Sequence, residues 1–190
     1  MTLSAASSGH GNRSLWRYEM KRVAILMAVL ALAAACDDDS PTQPSNTGPI
    51  VFTAALSASK EVPPVTGAEA GGAGTATITF NVPRDSAGAI TGSGTVTFGI
   101  QLTGFPANTP VNLAHIHPGA TGVNGSPLVN TGLTAGAPML LANGTGNQSI
   151  TVNISQADAT NIAAAPENFY FNVHTTLNGG GAARGQLARQ

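Results

Sequence analysis

Three histidines in the C-terminal half of this 190-residue chain, His115, His117 and His174, have the spacing and neighbours for metal chemistry. In Ala114-His115-Ile116-His117 the two imidazoles stand two residues apart, which in an extended chain puts both on one side. That spacing lets two rings converge on one ion. In the segment Phe169 to Thr175 the third histidine shares a face with Tyr170 and Asn172, opposite Phe169, Phe171 and Val173. Three neutral imidazoles with an open fourth position suit zinc or copper. Asn112, Asn172 and Thr175 are near enough in sequence to hydrogen-bond the outer ring nitrogens. The competing reading is structural: each ring bonds loop backbone and holds no ion.

Other chemistry is sparse. Only 9% of the chain is charged and the formal net charge is −1, against roughly 25% charged residues in an average soluble protein. No basic run extends beyond Lys21-Arg22, which argues against a nucleic-acid partner. There is no Gly-x-Ser-x-Gly elbow, phosphate loop or dinucleotide fingerprint. The carboxylates Glu61, Glu69, Asp85, Asp158 and Glu167 are scattered, and no two form an obvious acid–base pair. No catalytic residue is assigned, and the chain reads as a non-enzyme.

The N-terminal region reads as an export signal. Residues 1–19 carry no apolar segment and read either as a mis-assigned start, with translation expected to begin at Met20, or as a disordered leader. From there Lys21-Arg22, the apolar stretch Val23–Leu32 and Ala33-Ala34-Ala35 give the order of a secretory signal over residues 20–35. About 14 apolar residues fall short of the roughly 20 that span a bilayer. Small residues leading into Cys36 resemble the bacterial lipobox, with Ala33 where leucine is usual. The resemblance implies that Cys36, the sole cysteine, is acylated and begins the mature chain. Residues 36–49, rich in Asp, Pro, Ser and Asn, then form a disordered tether. The expected location is the cell envelope, with the membrane as partner through the lipid. Beyond residue 35 there are 4 basic and 8 acidic residues, a formal charge of −4.

The elements that must position the histidines are strands. Ala76, Ile78, Phe80 and Val82 alternate with Thr75, Thr77, Thr79 and Asn81. Val96, Phe98, Ile100 and Leu102 alternate with Thr95, Thr97 and Gln101, and Ile150, Val152 and Ile154 repeat the scheme, as do Phe52, Ala54 and Leu56. Period two with one apolar and one polar face predicts an all-β antiparallel sandwich over 50–190. Gly/Asn/Pro clusters mark the connections. One short helix is predicted over 156–165, capped by Ser155 with Asp158 and stopped by Pro166.

Four motifs carry a family resemblance: Lys60-Glu61-Val62-Pro63-Pro64-Val65, the Ala114–His117 segment with its Gly119–Gly125 loop, Asn172-Val173-His174-Thr175, and Arg184-Gly185-Gln186-Leu187. In this order they resemble the CHRD domain, first named for its repeats in chordin, over about residues 50–188. Ala182-Ala183 departs from the polar-then-apolar pair usual before the Arg-Gly-Gln. The resemblance implies a β-rich domain and supplies no reaction. Because Glu61 and Arg184 lie in family-like motifs of a charge-poor domain, they are expected to form an ion pair joining the first strand region to the last. A weaker likeness is to copper/zinc superoxide dismutase, also a β-sandwich with His-x-His on a strand. The domain's three histidines, with no second cysteine in the chain, do not supply that enzyme's ligand set or disulfide. The reading is therefore a lipid-anchored, non-catalytic envelope module, either binding a protein or polymer or serving a structural role, with a copper- or zinc-binding β-sandwich bearing a superoxide-dismutase-like histidine site as the alternative.

Overall fold

The computed structural model describes residues 48–190. The expected start at Met20, the signal, Cys36 and all but the last two residues of the tether lie outside the described residues. Within them the protein is β-rich, as the alternation predicts. Ten strands run β1 Ile50–Ser57, β2 Ala73–Asn81, β3 Gly94–Thr103, β4 Thr109–Pro118, β5 Val129–Asn130, β6 Met139–Leu141, β7 Gly146–Ile154, β8 Phe169–Thr175, β9 Ala183–Gln186 and β10 Ala188–Arg189. All pairings are antiparallel.

The main path across the sheet is β5-β4-β8-β9-β1-β2-β3-β7, with β6 on the free edge of β4 and β10 beside β1. β6 leads directly into β7 across a four-residue turn, so the sheet nearly closes on itself. The two walls expected of a sandwich thus belong to one continuous, barrel-like sheet. Near-closure removes most unpaired strand edge, and with it the tendency to pair with other chains.

Inward-facing residues are those the alternation selects. Phe52, Ile78, Phe80, Val96, Phe98, Ile100, Ile116, Phe171 and Val173 are buried in one apolar cluster. Phe52 meets Phe80 edge-on at 5.0 Å, and Phe98 stacks on Phe171 at 5.5 Å. Helix α1, Gln156–Ala164, adds Ala159 and Ile162 to this core. Ser155 Oγ accepts from the Asp158 amide at 3.0 Å and donates to the Asp158 carboxylate at 2.7 Å. The expected N-terminal cap is present, and the helix ends one residue earlier than predicted.

One irregularity decides what β4 offers on each side. The register with β8 slips between Val111 and Leu113, leaving Asn112 as an extra residue. A bulge of this kind inverts side-chain parity downstream. Val111, an odd position, is buried in the core, whereas past the bulge the even positions Ala114 and Ile116 take that side. Leu113, His115 and His117 are thereby turned to the outer face of the sheet.

Candidate metal centre

The three histidines arrive on one patch through strand register. Across β4 and β8, His117 pairs with Tyr170 and His115 with Asn172, while His174 sits opposite Leu113. Across β8 and β9, Tyr170 pairs with Gln186 and Asn172 with Arg184. Two rungs, Gln186–Tyr170–His117 and Arg184–Asn172–His115, therefore lie side by side on the outer face, with His174 one position further along β8. All three histidines are buried. The loops around 119–126 and 178–181 reach the rings through the carbonyls of Gly125 and Gly179.

Ring centroids are 5.0 Å apart for His115 and His174, 5.4 Å for His115 and His117, and 6.1 Å for His117 and His174. One nitrogen from each ring lies within 4.8 Å of the others. His115 Nδ1 and His174 Nε2 are 3.2 Å apart. Ligands on tetrahedral zinc at about 2.0–2.1 Å sit roughly 3.3 Å from one another, so this pair already has ligand spacing. Closing the remaining gaps takes ring rotations of about 1 Å by the same geometry.

Hydrogen bonds select the tautomers. His117 Nδ1 donates to the Gly125 carbonyl at 2.8 Å, and His174 Nδ1 donates to the Gly179 carbonyl at 3.0 Å. A carbonyl only accepts, so both Nδ1 atoms carry the proton and both neutral rings present a bare Nε2. That is the arrangement in which metal-binding imidazoles are oriented by an outer acceptor. His117 Nε2 is buried with no hydrogen-bond partner. Burial, followed by the neighbouring His174 and His117, lowers the His115 pKa to about 4. Burial is also the main cause of the lowered values at His117 and His174. All three rings are neutral near pH 7, the form that binds metal without first losing a proton.

The carbonyl partners were not legible in the sequence. Of the three polar side chains expected to bond the outer nitrogens, none does: the Asn172 amide lies 3.1 Å from His174 Nε2, the inner nitrogen, and a proton-free Nε2 calls for the NH2 end of that amide rather than its oxygen. Asn112 instead donates to Thr176 at 2.9 Å, and Thr175 donates to Glu69 at 2.7 Å. Backbone carbonyls hold the outer nitrogens because the loops are folded tightly over the rings. At Gly125 a Cβ would lie 1.8 Å from the Pro118 carbonyl oxygen, so only glycine allows the chain to pass close enough to reach His117.

Buried charged side chains build the frame. Glu69 accepts from Thr175 Oγ1 and from Asn178 Nδ2 at 2.6 Å, fastening the loop that supplies the Gly179 carbonyl. Its preceding sequence gave no sign of this role. Arg184, 2% exposed, places its guanidinium 3.5 Å from the centre of the Tyr170 ring, which also stacks on His117 at 4.8 Å. It donates to Asn124 Oδ1 and the Val123 carbonyl, both at 3.0 Å, and to Gln186 Oε1 at 3.4 Å. Gln186 in turn donates to the Gly119 and Glu167 carbonyls. Arg184 thus clamps the loop that carries Gly125. Glu61 lies in the same layer and feels the attraction of Arg184, though the guanidinium's hydrogen bonds go to the loop. Burial outweighs that attraction and the nearby Asn172 amide, raising the Glu61 pKa to about 7.

The CHRD domain family matches residues 52–187. No curated protein matches the chain. With that match spanning nearly all of the described fold, the chain belongs to the CHRD domain family.

Proposed function

We propose that this CHRD-domain protein is a metal-binding module of the cell envelope, with His115, His117 and His174 as ligands and zinc or copper as the ion. The observation that carries the reading is the convergence of three buried imidazole nitrogens, one of them, His117 Nε2, without any partner. Buried polar atoms in folded proteins are nearly always satisfied, and a scaffolding histidine would be expected to use both nitrogens. The carbonyl-fixed tautomers and lowered pKa values support the same reading. On this reading the bound partner is a small ion in place of the protein or polymer expected from the sequence, and the chain is read as a binding module rather than an enzyme.

Elemental analysis after dialysis tests it. Wild type is expected to retain close to one equivalent of zinc or copper, and His115→Ala to retain none. Wild-type protein that stays metal-free after reconstitution would leave the three rings as scaffold. The anchor is part of the same proposal and rests on Cys36, the sole cysteine, behind three alanines. Labelled palmitate is expected in wild type and absent from Cys36→Ser; equal labelling of both would remove the lipid anchor.

A further inference from the structure

The three rings are not held alike. His117 and His174 each have Nδ1 tied to a backbone carbonyl, of Gly125 and of Gly179, so their protons are fixed on the outer nitrogens. No carbonyl holds His115. Its one hydrogen bond among the described residues joins Nδ1 to His174 Nε2 at 3.2 Å, between two rings only 6% and 7% exposed.

The proton in that contact can be placed. A neutral imidazole has one N–H and one bare nitrogen. His174 gives its N–H to Gly179, so its Nε2 has only a lone pair to offer His115. Two lone pairs facing each other in a buried layer would repel and leave both nitrogens unsatisfied. The contact therefore requires the proton on His115 Nδ1, which donates, and leaves His115 Nε2 bare. The Asn172 amide, 3.1 Å from the same His174 nitrogen, turns its NH2 end to it for the same reason. His174 Nε2 is thus capped by two donors, while His117 Nε2 has no partner. These bonds let most of the buried layer satisfy itself without an ion.

The His115 proton also stands in an ion's way. Nδ1 is the His115 atom at ligand spacing from His174, and a protonated ring nitrogen has no lone pair to give a metal. A second place for the proton exists on the same ring. His115 Nε2 makes no hydrogen bond and yet, unlike His117 Nε2, is not a buried atom without a partner, so it reaches solvent.

Resting on the three-histidine reading, we infer that His115 is the switch of the site, closing it when empty and opening it by a change of tautomer. In the empty protein its Nδ1–H caps His174. On metal uptake the Nδ1–H bond breaks, an N–H bond forms at Nε2 with water carrying the proton, and Nδ1 becomes a ligand. The ring stays neutral and no net proton is released. The donor set is then Nδ1 of His115 with Nε2 of His117 and of His174.

Two-bond proton–nitrogen correlation spectra of the full chain, isotopically labelled at the histidine nitrogens, read which ring nitrogen carries the proton. Near pH 7 without metal, all three rings are expected to carry it on Nδ1. With Zn2+ bound, His115 is expected to carry it on Nε2, its two nitrogen shifts exchanging, while His117 and His174 keep theirs. His174→Ala removes the acceptor, and metal-free His115 is then expected to move its proton to Nε2, the tautomer that imidazole side chains favour in water. A His115 proton on Nε2 before metal is added, or still on Nδ1 with Zn2+ bound, overturns the switch and leaves the histidine site standing. Folded His174→Ala in which His115 keeps Nδ1–H overturns it equally; if that variant does not fold, the wild-type spectra decide alone. Wild type that takes up no Zn2+ removes the histidine reading itself, and the switch with it.

Discussion

Two outer faces of the same sheet, both polar in sequence, end in opposite environments. On β2, β3 and β7 the outward side chains form rungs such as Thr79–Thr97–Thr151 and Thr75–Gln101–Asn147. Most of these residues are exposed or half-buried, and Thr97 and Thr151 share one hydroxyl hydrogen bond at 2.8 Å. On β4, β8 and β9 the corresponding rungs hold His117, Tyr170, Gln186, His115, Asn172 and Arg184, nearly all buried. The strands do not differ in period. What differs is the loops: those around 119–126 and 178–181 fold back over one face, while among the described residues the other face stays exposed or half-buried.

The contrast is energetic as well as geometric. A hydroxyl in water gains little from its neighbour, because solvent offers an equal partner. Under the loops each polar group must find its partner within the protein or remain unsatisfied at a cost of about 1–3 kcal/mol. The covered face is therefore specified atom by atom, while the open face tolerates exchange.

The largest expected effect comes from breaking the clamp on the covered face. Arg184→Ala removes the contacts to Val123, Asn124 and Tyr170 and leaves Glu61 without its attracting charge. A loss of about 3–5 kcal/mol is expected, the range for stripping one partner from a buried charged network. Arg189→Ala, at an exposed position on β10, should stay within about 0.5 kcal/mol. Thermal or urea unfolding of the two variants measures the difference, and similar melting would show that the clamp does not hold the face together.

A smaller effect, with a diagnostic shape, is expected from pH in metal-free protein. Glu61 has a folded pKa of about 7 against an ordinary 4.5, so the folded state holds the proton more tightly. Its contribution is complete below about 4.5 and is lost as pH rises through about 7. His115 runs the other way: its folded value of about 4 lies below the ordinary 6.5, so the unfolded chain takes up the proton first. That contribution is present above about 6.5 and is lost as pH falls through about 4. The two oppose each other between 4.5 and 6.5, and His117 and His174, also lowered by burial, add to the His115 side, so the Glu61 contribution is read from the difference between wild type and a Glu61 variant. Glu61→Gln should gain stability relative to wild type from pH 4.5 to 7 and level off above. A constant offset between the two melting curves at all pH values would contradict the burial of an ionisable carboxyl.

The smallest effect belongs to the open face. Thr97→Ala deletes one cross-strand hydroxyl pair, for which about 0.2–1 kcal/mol is expected. Metal content should not change. A larger loss, or a loss of bound metal, would mean that the two faces are coupled through the sheet rather than independent.

Much of this architecture was legible in the residues themselves. Alternation in β1, β2, β3 and β7 names the core residues directly, because period two can bury only one side of a strand. Ser155, Asp158 and Pro166 mark the helix, since capping and proline chemistry act within a few residues. The shared face of His174, Asn172 and Tyr170 follows from the same local rule. Tertiary structure decided the rest. The Asn112 bulge that turns His115 and His117 outward exists only in the pairing of β4 with β8, so it leaves no local pattern. The carbonyls of Gly125 and Gly179 are invisible in a sequence, because every residue has one and only the fold aims it. Glu69 and Thr175 meet across 106 positions, and Arg184 reaches Val123 across 61. Local chemistry sets which face of a strand is polar; whether that face meets water or a second layer of chain depends on contacts between segments far apart in sequence.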